Sequence, residues 1–308
     1  MMLLRQFNNR VALSSCNRPL YSISLLVPPL SEQQKIATIL SSVDNVIETT
    51  RAQIDKLKDL KTGMMQELLT KGIGLGGVPH TEFKDSPVGW IPAGWDVGAL
   101  ESLEISVLDG DRGKEYPKET DFHTLEYCLF LSAKNVTKSG FSFSELSFIT
   151  KEKDAVLRKG KLSRGDIVIT TRGTVGNISY YDASVPYENI RINSGMAIIR
   201  NKSSDMDKQF LNILMNSPML GEQIKLLTFG SAQPQLTIGI IKELQIPKPC
   251  LQEQVAITTA LESVSTRLKL ANQKQLALNT LKKALMQDLL TGKVRVKIED
   301  NEKEPAVA

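Results

Sequence analysis

The sequence predicts an α+β protein in which a globular domain is mounted on a long antiparallel two-helix coiled coil. Three observations lead to this fold class. A segment near the N-terminus is repeated near the C-terminus, both copies carry an apolar heptad pattern, and the block between them alternates short apolar runs with turn signals. The chain of 308 residues is long enough for one large domain or two modest ones.

The composition argues against several classes of protein. No apolar run approaches the ~20 residues of a membrane span, so neither a membrane protein nor a membrane partner is expected. The first residues lack the layout of a signal peptide, which favours a cytoplasmic location. Cys16, Cys128 and Cys250 are far apart and the chain has only two histidines, so no zinc site or disulfide framework is expected.

Charge gives a weaker indication of the partner. The net charge is +4, yet residues 73–245 hold 19 Lys and Arg against 21 Asp and Glu. Within this block, residues 134–172 hold nine basic residues against four acidic ones. Such a stripe can be a nucleic-acid surface, although it is more often an ordinary solvated face.

The N-terminal 26 residues show no helical period. Tyr21, Ile23 and Leu25 alternate with polar residues, as a single terminal strand would. Pro28 and Pro29 then end any preceding element, and Ser31 with Glu32 begins a helix.

Two long helices follow from the repeat. Residues 32–70 align with residues 253–291 without a gap, at an offset of 253 − 32 = 221. In each copy apolar residues recur after alternately four and three positions, which is the seam of a coiled coil. The predicted seam consists of Ile36, Leu40, Val43, Ile47, Ile54, Leu57, Met64 and Leu68 in the first copy, and of Ile257, Leu261, Val264, Leu268, Leu278, Leu285 and Leu289 in the second. We expect the helices to pair with each other over roughly 60 Å; separate packing of each helix on a domain core is the alternative.

The direction of pairing follows from the connectivity. The central block leaves the end of the first helix and returns to the start of the second. Because the termini of a domain are commonly close together, the second helix should run back along the first. The predicted coiled coil is therefore antiparallel.

The remaining boundaries follow from turn residues. Residues 27–71 form the first spacer helix, and residues 72–81 form a glycine-rich linker, in which no Gly-Lys-Ser/Thr follows to make a phosphate loop. Residues 82–245 form the α+β domain, with strands predicted at 128–131, 141–143, 166–171, 178–181 and 196–200 and helices at 207–216 and 218–227. Residues 246–292 form the second spacer helix, and the polar tail 293–308 is expected to be disordered.

The motifs of this chain occur in a characteristic order. Each spacer begins with a proline-bearing step, VPPLSEQQKIATIL and more loosely IPKPCLQEQVAITTAL, and ends in LKTGMMQELLTKGI or LKKALMQDLLTGKVR. The central block opens with FKDSPVGWIPAGWDVGALES, continues through LSRGDIVITTRGTVGNISYYD and closes with GSAQPQLTIGIIKELQIPKP. With these motifs the chain resembles the specificity (S) subunit of type I restriction–modification systems over most of residues 27–295.

The chain departs from the family pattern at its start. The family alternates two recognition domains with two spacers, whereas residues 1–26 lack the closing motif that Gly230-Ser231-Ala232-Gln233 supplies in the central block. Residues 1–26 are therefore interpreted as the remnant of a preceding recognition domain or as an irregular N-terminus. The expectation is a truncated S subunit with one target-recognition domain.

The resemblance implies a non-catalytic, sequence-specific DNA-binding subunit of a restriction endonuclease and adenine methyltransferase complex. It would read half of a bipartite site on double-stranded DNA and dock methyltransferase (M) subunits and, through them, restriction (R) subunits. No cofactor is expected on this chain, because S-adenosylmethionine, ATP and Mg would belong to the partner subunits. A second half-specificity subunit or self-dimerisation would complete the target. Asp109, Asp111 and Asp166 lie beside turn glycines, where turn hydrogen bonds explain them.

Loop-borne donors and amides are the candidates for reading base edges. They are Arg112, Lys114, Tyr116, Lys134, Asn135, Arg172, Thr174, Asn177, Arg191, Asn193, Gln233 and Gln235. Lys161 and Arg164 are better candidates for phosphate contacts, and Tyr116 has packing inside the domain as an equal alternative. Two other functions stay open: a coiled-coil interaction protein that does not read DNA, and an inactive remnant of a specificity gene.

Overall fold

The computed structural model describes residues 27–228 and 235–297. The predicted N-terminal strand, the motif Gly230–Gln233 and the end of the predicted disordered tail lie outside these ranges. The chain divides into two compact units. One unit spans Leu57–Arg267, and the other combines the described residues up to Lys56 with those from Leu268 onwards.

The described residues form six α-helices and thirteen strands, and the content is α+β as predicted. The helices are α1 Leu30–Thr70, α2 Lys151–Val156, α3 Lys208–Met215, α4 Pro218–Thr228, α5 Ile238–Glu243 and α6 Leu251–Leu290. The strands are β1 Phe83–Lys84, β2 Ile91–Pro92, β3 Asp96–Ala99, β4 Ile105–Asp109, β5 Cys128–Leu131, β6 Val136–Thr137, β7 Gly140–Phe141, β8 Phe148–Ile149, β9 Ile167–Thr170, β10 Ile178–Tyr180, β11 Ile190–Ile192, β12 Met196–Asn201 and β13 Gln245–Lys248.

The unit that combines the start of α1 with the end of α6 is an antiparallel helix pair, as predicted. Asp44 pairs with Lys282 at 2.5 Å, and Glu32, earlier in α1, pairs with Arg295, beyond the end of α6, at 2.7 Å. Contacts that move backwards along α6 as they move forwards along α1 define the antiparallel direction. The predicted seam side chains here are all buried or half-buried: Ile36, Leu40, Val43, Ile47, Ile54, Leu268, Leu278, Leu285 and Leu289.

In the unit Leu57–Arg267 the ends of both long helices pack into the domain. The seam residues Ile257, Leu261 and Val264 are buried, while Leu57, Met64 and Leu68 are half-buried. On α1 the deepest positions lie one residue further on, at Met65 and Leu69, which belong to the hydrophobic core. A domain core covers a wider stripe of a helix than one partner helix does, so two adjacent rows of α1 are used here.

A four-stranded antiparallel sheet, in the order β10-β9-β12-β4, divides the domain core into two. Side chains alternate across a strand. Ile167, Ile169 and Ile199 therefore face the core that contains α3 and α4, whereas Val168 and Ile198 face a second sheet. That second sheet has the order β11-β5-β8, with β11 and β5 parallel.

The linker after α1 is fixed by one buried carboxylate, Glu253, in the first turn of α6. It accepts hydrogen bonds from the amides of Ile73 (3.0 Å) and Gly74 (2.9 Å), from His80 Nε2 (2.8 Å) and from Trp95 Nε1 (2.9 Å). Burial by itself would raise the pKa of Glu253, but these hydrogen bonds outweigh it and the pKa is lowered. A Cβ at Gly72 would lie 2.3 Å from the carboxylate, so the close approach requires glycine there.

Both copies of the repeat have a buried glutamate at this position that accepts hydrogen bonds. Glu32, which aligns with Glu253, is also buried and accepts hydrogen bonds from Arg295 and, at 3.2 Å, from the amide of Val296. Each long helix thus begins with a glutamate that binds the chain leaving the other helix.

Candidate nucleic-acid interface

Several loops converge at one edge of the two sheets. Register pairs Asp109 with Ala197 and Thr170 with Met196, so β4 and β9 end where β12 begins. The segment 193–195 joins β11 to β12 and brings the parallel strand β5 to the same edge, where the Asn193 amide donates to the Leu131 carbonyl. We call the loops 110–118, 132–135, 171–177 and 193–195 the loop edge.

The first loop of this edge is held by Asp111. Its buried carboxylate accepts hydrogen bonds from the amides of Gly113 (2.6 Å), Arg158 (2.8 Å) and Lys159 (3.3 Å). Burial would raise the pKa of Asp111, but the three amide donors outweigh it and lower the pKa. The turn bonding expected for this residue is present in the bond to Gly113. A charged acceptor with three main-chain donors fixes the loop that carries Arg112 and Lys114.

The second loop, 171–177, is a hairpin held by hydrogen bonds within the hairpin and by hydrogen bonds to neighbouring segments. The buried hydroxyl of Thr170 donates to the Thr174 carbonyl and accepts from the Asn177 amide at 2.9 Å. The Asn177 side chain donates to the Val136 carbonyl at 3.0 Å, which ties the loop to β6. The amide of Thr171 donates to the Gly195 carbonyl at 2.8 Å. The exposed tip is Arg172-Gly173-Thr174.

The segment 193–195 connects the two loops. Arg112 Nη2 donates to the Ser194 carbonyl at 3.1 Å, one residue from the carbonyl that Thr171 binds. A Cβ at Gly110 would lie 2.2 Å from the Asn193 carbonyl oxygen, so the first loop passes directly over this segment. The Asn193 side chain accepts from the Gly195 amide at 2.9 Å and shapes the turn. The two cation-bearing loops are therefore neighbours.

Five of the predicted DNA-binding residues are exposed at or beside this edge: Arg112, Lys114, Lys134, Arg172 and Thr174. Lys134 pairs with Glu145 at 2.8 Å on the surface. Gln235 is also exposed, and its neighbour Leu236 donates its amide to the Thr171 carbonyl. Gln233 lies outside the described residues. Asn177 and Asn193 are half-buried and hold the loops with their side chains.

Two predicted DNA-binding residues are corrected by the structure, because their side chains are buried and fully engaged. Asn135 is 3% exposed; its amide donates to the carbonyls of Ser142 and Glu145 and accepts from Ser132. Arg191 is 6% exposed and binds Asp154 as well as the carbonyls of Lys159 and Leu157. Both were expected at the surface because they are polar residues outside the predicted strands, but Arg191 is the central residue of β11.

Tyr116 and the two predicted phosphate contacts also have partners within the domain. The half-buried Tyr116 ring packs edge-on against Phe130, with ring centroids 5.8 Å apart. Lys161 pairs with Asp154 at 2.6 Å, while Arg164 stacks on Tyr181 and donates to the carbonyls of Val185 and Tyr187. Arg164 precedes β9 and Arg172 follows it, so the two arginines lie at opposite ends of that strand.

The sequence reasoning missed Thr170 as a loop-positioning residue. The residue reads as part of an apolar strand, and a hydroxyl one residue before a turn of two glycines is the available signal. In the described ranges, no group of three or more His, Cys, Asp or Glu side chains is arranged to hold a metal ion. None of the helices described here combines the length and apolar character that a membrane crossing requires.

The sequence matches the family model for the type I restriction modification DNA specificity domain over residues 13–59 and 113–280. It is 32% identical over 282 residues to the type I restriction enzyme MjaVIII specificity subunit of Methanocaldococcus jannaschii. The matched region is 90% of this chain and 63% of that subunit. It is 30% identical over 288 residues to the putative type I restriction enzyme MjaX specificity subunit of the same organism. This match includes 92% of this chain and 62% of that subunit. The chain therefore spans less than two thirds of the length of these relatives.

Two solved structures are similar to the fold. The HsdS subunit from Thermoanaerobacter tengcongensis has a TM-score of 0.55 at 16% identity. The superposed region is 87% of this chain and 60% of the HsdS chain. The S subunit of a type I restriction–modification system from M. genitalium has a TM-score of 0.54 at 15% identity. Here the superposed region is 84% of this chain and 61% of the S subunit. At these identities the similarity establishes the fold alone.

Proposed function

The chain belongs to the type I restriction modification DNA specificity family, and from this premise we propose that it reads half of a bipartite target on double-stranded DNA for a restriction–modification complex. The observation that carries the proposal is the loop edge. Two loops fixed by buried acceptors and donors present exposed cations side by side, at one edge of a rigid pair of sheets. Rigid loops lower the ordering cost of binding.

The chemistry of this edge suits base reading with modest phosphate contact. Arg172 and Thr174 lie at the tip of the hairpin that β9 and β10 form, and a two-stranded β-ribbon is an element that the major groove admits. Lys114 and Lys134 lie on neighbouring loops, where an ammonium acts as a point charge for phosphate. Base contacts would select the sequence while the lysines position the domain.

A non-catalytic role is proposed for the chain itself. S-adenosylmethionine, ATP and Mg would be bound by methyltransferase and restriction subunits, which the chain would bring to the DNA in the cytoplasm. The exposed leucines of α6 support a docking role for the helix pair. Leu270, Leu276 and Leu281 are 60%, 70% and 48% exposed, and contact with a partner helix would remove their apolar surface from water. A methyltransferase helix is the proposed occupant.

A second recognition domain is needed to read the other half of a bipartite site. We propose that it comes from a second half-specificity subunit or from a second copy of this chain. A symmetric pair of copies would read a palindromic split site, because a two-fold axis presents two identical domains. Sedimentation of the complex with the methyltransferase and DNA tests this: two copies per duplex support self-pairing, and one copy contradicts it.

Selection from a randomised duplex library tests the function itself. The full chain, purified with its methyltransferase, should enrich a short motif, and its affinity should fall steeply with salt because phosphate contacts release counterions. A matched control carries Lys114→Ala and Arg172→Ala together. Binding that lacks both sequence preference and salt dependence would refute DNA reading and favour a coiled-coil interaction protein or an inactive remnant.

A further inference from the structure

We propose that Arg172 is the specificity-determining residue of the loop edge and reads a guanine, whereas its neighbour Arg112 positions the loops. This inference rests on the proposed function and assigns one base contact within it. The two arginines lie on adjacent loops and are both exposed. They differ in what their guanidinium groups already bind.

Arg172 is carried by a hairpin that is fixed up to its tip. The Thr170 amide donates to the Asn177 carbonyl at 3.0 Å, and the Gly176 amide donates to the Thr170 carbonyl at 2.9 Å. Gly173 has a φ of +72°, and a Cβ built there would meet nothing within 4 Å, so the tip turns in open solvent. The backbone under Arg172 is therefore held while its side chain is exposed to solvent.

The guanidinium of Arg172 is uncommitted. Among the residues that the structure describes, it has no hydrogen-bond or ion-pair partner, in contrast to Arg112, Arg164, Arg191 and Arg200. Arg112 binds Asp109 at 3.3 Å and the Ser194 carbonyl at 3.1 Å. Arg200 binds Asp166 through Nε at 2.8 Å and Nη2 at 2.6 Å. Arg164 and Arg191 donate to carbonyls as described above.

Arg158 is the remaining arginine near this edge, and its charge is also in use. It lies beside the first loop, where its charge helps to lower the pKa of Asp111 after the three amide donors. None of the acids in the described ranges forms an ion pair with Arg172. An arginine that keeps all its donors available can present the bidentate fork that matches O6 and N7 of guanine.

The position of Arg112 gives it another role. Its bonds to Asp109 and Ser194 connect the first loop to the segment 193–195, from which Thr171 is also held. The nearby carboxylate of Asp109 partly neutralises its charge. Removing Arg112 should therefore loosen the edge and weaken binding without changing which base is preferred.

The test uses the full chain with its methyltransferase and compares enriched motifs from a randomised duplex library. Arg172→Lys keeps the charge but loses the bidentate fork. It should reduce the preference for guanine at one position by roughly 5- to 150-fold, while the dependence of affinity on salt stays unchanged. Lys114→Ala is the matched control: it should weaken all sequences alike and lower the salt slope by about one, because it removes a phosphate contact.

The outcomes separate this inference from the proposed function. If the wild-type chain enriches a motif and Arg172→Lys enriches the same motif with equal strength, the guanine assignment is wrong and the proposed function stands. If Arg172→Lys weakens every sequence equally, Arg172 is a phosphate contact and the assignment is again wrong. If the wild-type chain enriches nothing, both fail. Arg112→Gln should lower affinity and keep the motif; a changed base at one position would exchange the two roles.

Discussion

Replacing Glu253 with alanine should destabilise the unit Leu57–Arg267 strongly, because one carboxylate receives four hydrogen bonds there. Oε1 accepts from the amides of Ile73 and Gly74 and from His80, and Oε2 accepts from Trp95. Glu253 is 3% exposed and Trp95 is 1% exposed, so water replaces these bonds poorly. Hydrogen bonds to a charged group contribute about 1.5–3 kcal/mol each, and shared acceptors are not additive.

We expect a loss of about 3–5 kcal/mol for Glu253→Ala, the range for removing one partner of a buried charged cluster. Glu253→Gln is the graded variant. Its carbonyl can keep the three bonds of Oε1, while its NH₂ group faces the Trp95 indole N–H, so about 1.5–3 kcal/mol should be lost. Urea unfolding followed by tryptophan fluorescence measures both, because Trp95 is in contact with the site.

Glu32→Ala is the matched control, since Glu32 occupies the equivalent position in the repeat. Its partner Arg295 is 67% exposed, so water can replace the ion pair and the loss should be clearly smaller. The reasoning is refuted if Glu253→Ala unfolds within 1 kcal/mol of the wild type, where 1 kcal/mol is about the value of one neutral hydrogen bond. It is equally refuted if the two alanine variants are destabilised alike.

Three further predictions follow from the same contacts. The pKa of Glu253 is lowered in the folded chain. Its contribution to the free energy of unfolding should therefore be complete above pH 4.5, the ordinary pKa, and should be lost as pH falls through the lower folded pKa. Glu253→Gln should flatten the acid limb of a stability–pH curve, and an unchanged limb would contradict this. Thr170→Val should cost about 1–3 kcal/mol and speed amide hydrogen exchange in residues 171–177, since the half-buried Asn177 amide loses its acceptor. Thr174→Val, at the exposed tip, should leave exchange unchanged. Residues 45–51 and 275–281 lie opposite each other, because Asp44 pairs with Lys282. Deleting both segments should shorten the gap in the DNA target by about three base pairs, since seven helical residues span roughly 10 Å. Methylome sequencing that returns the original gap would reject the helix pair as the spacer.

Much of the secondary structure could be predicted because its signals are local. The predicted strand 128–131 coincides with β5, and the predicted helices at 207–216 and 218–227 agree with α3 and α4 to within one residue at each end. The predicted strand at 141–143 is instead the short strand β7, Gly140–Phe141. Strands β1 to β4, β6, β8, β11 and β13 were missed. Apart from β4, which has five residues, they have two to four residues each and are too short to show a clear period.

The candidate site was predictable only in part. Polar residues beside turns were expected to lie at the surface, and Arg112, Lys114 and Arg172 are exposed. The expectation fails for Asn135 and Arg191, which have equally polar side chains but lie buried against Ser142 or Asp154. Whether a polar group satisfies an interior partner or faces water depends on residues distant in sequence, and Arg191 and Asp154 are 37 positions apart.

The sequence by itself determined the two long helices and their approximate length, because a heptad repeat and a gap-free duplication are visible along the chain. It also determined their antiparallel direction, because the central block connects the end of one helix to the start of the other. Only the tertiary structure decided which polar side chains are free. Arg172 and Arg112 are similar in sequence, each followed by glycine, yet only the fold places Asp109 and the Ser194 carbonyl beside Arg112. Partner choice among donors and acceptors is a matter of three-dimensional distance, so no pattern along the chain specifies it.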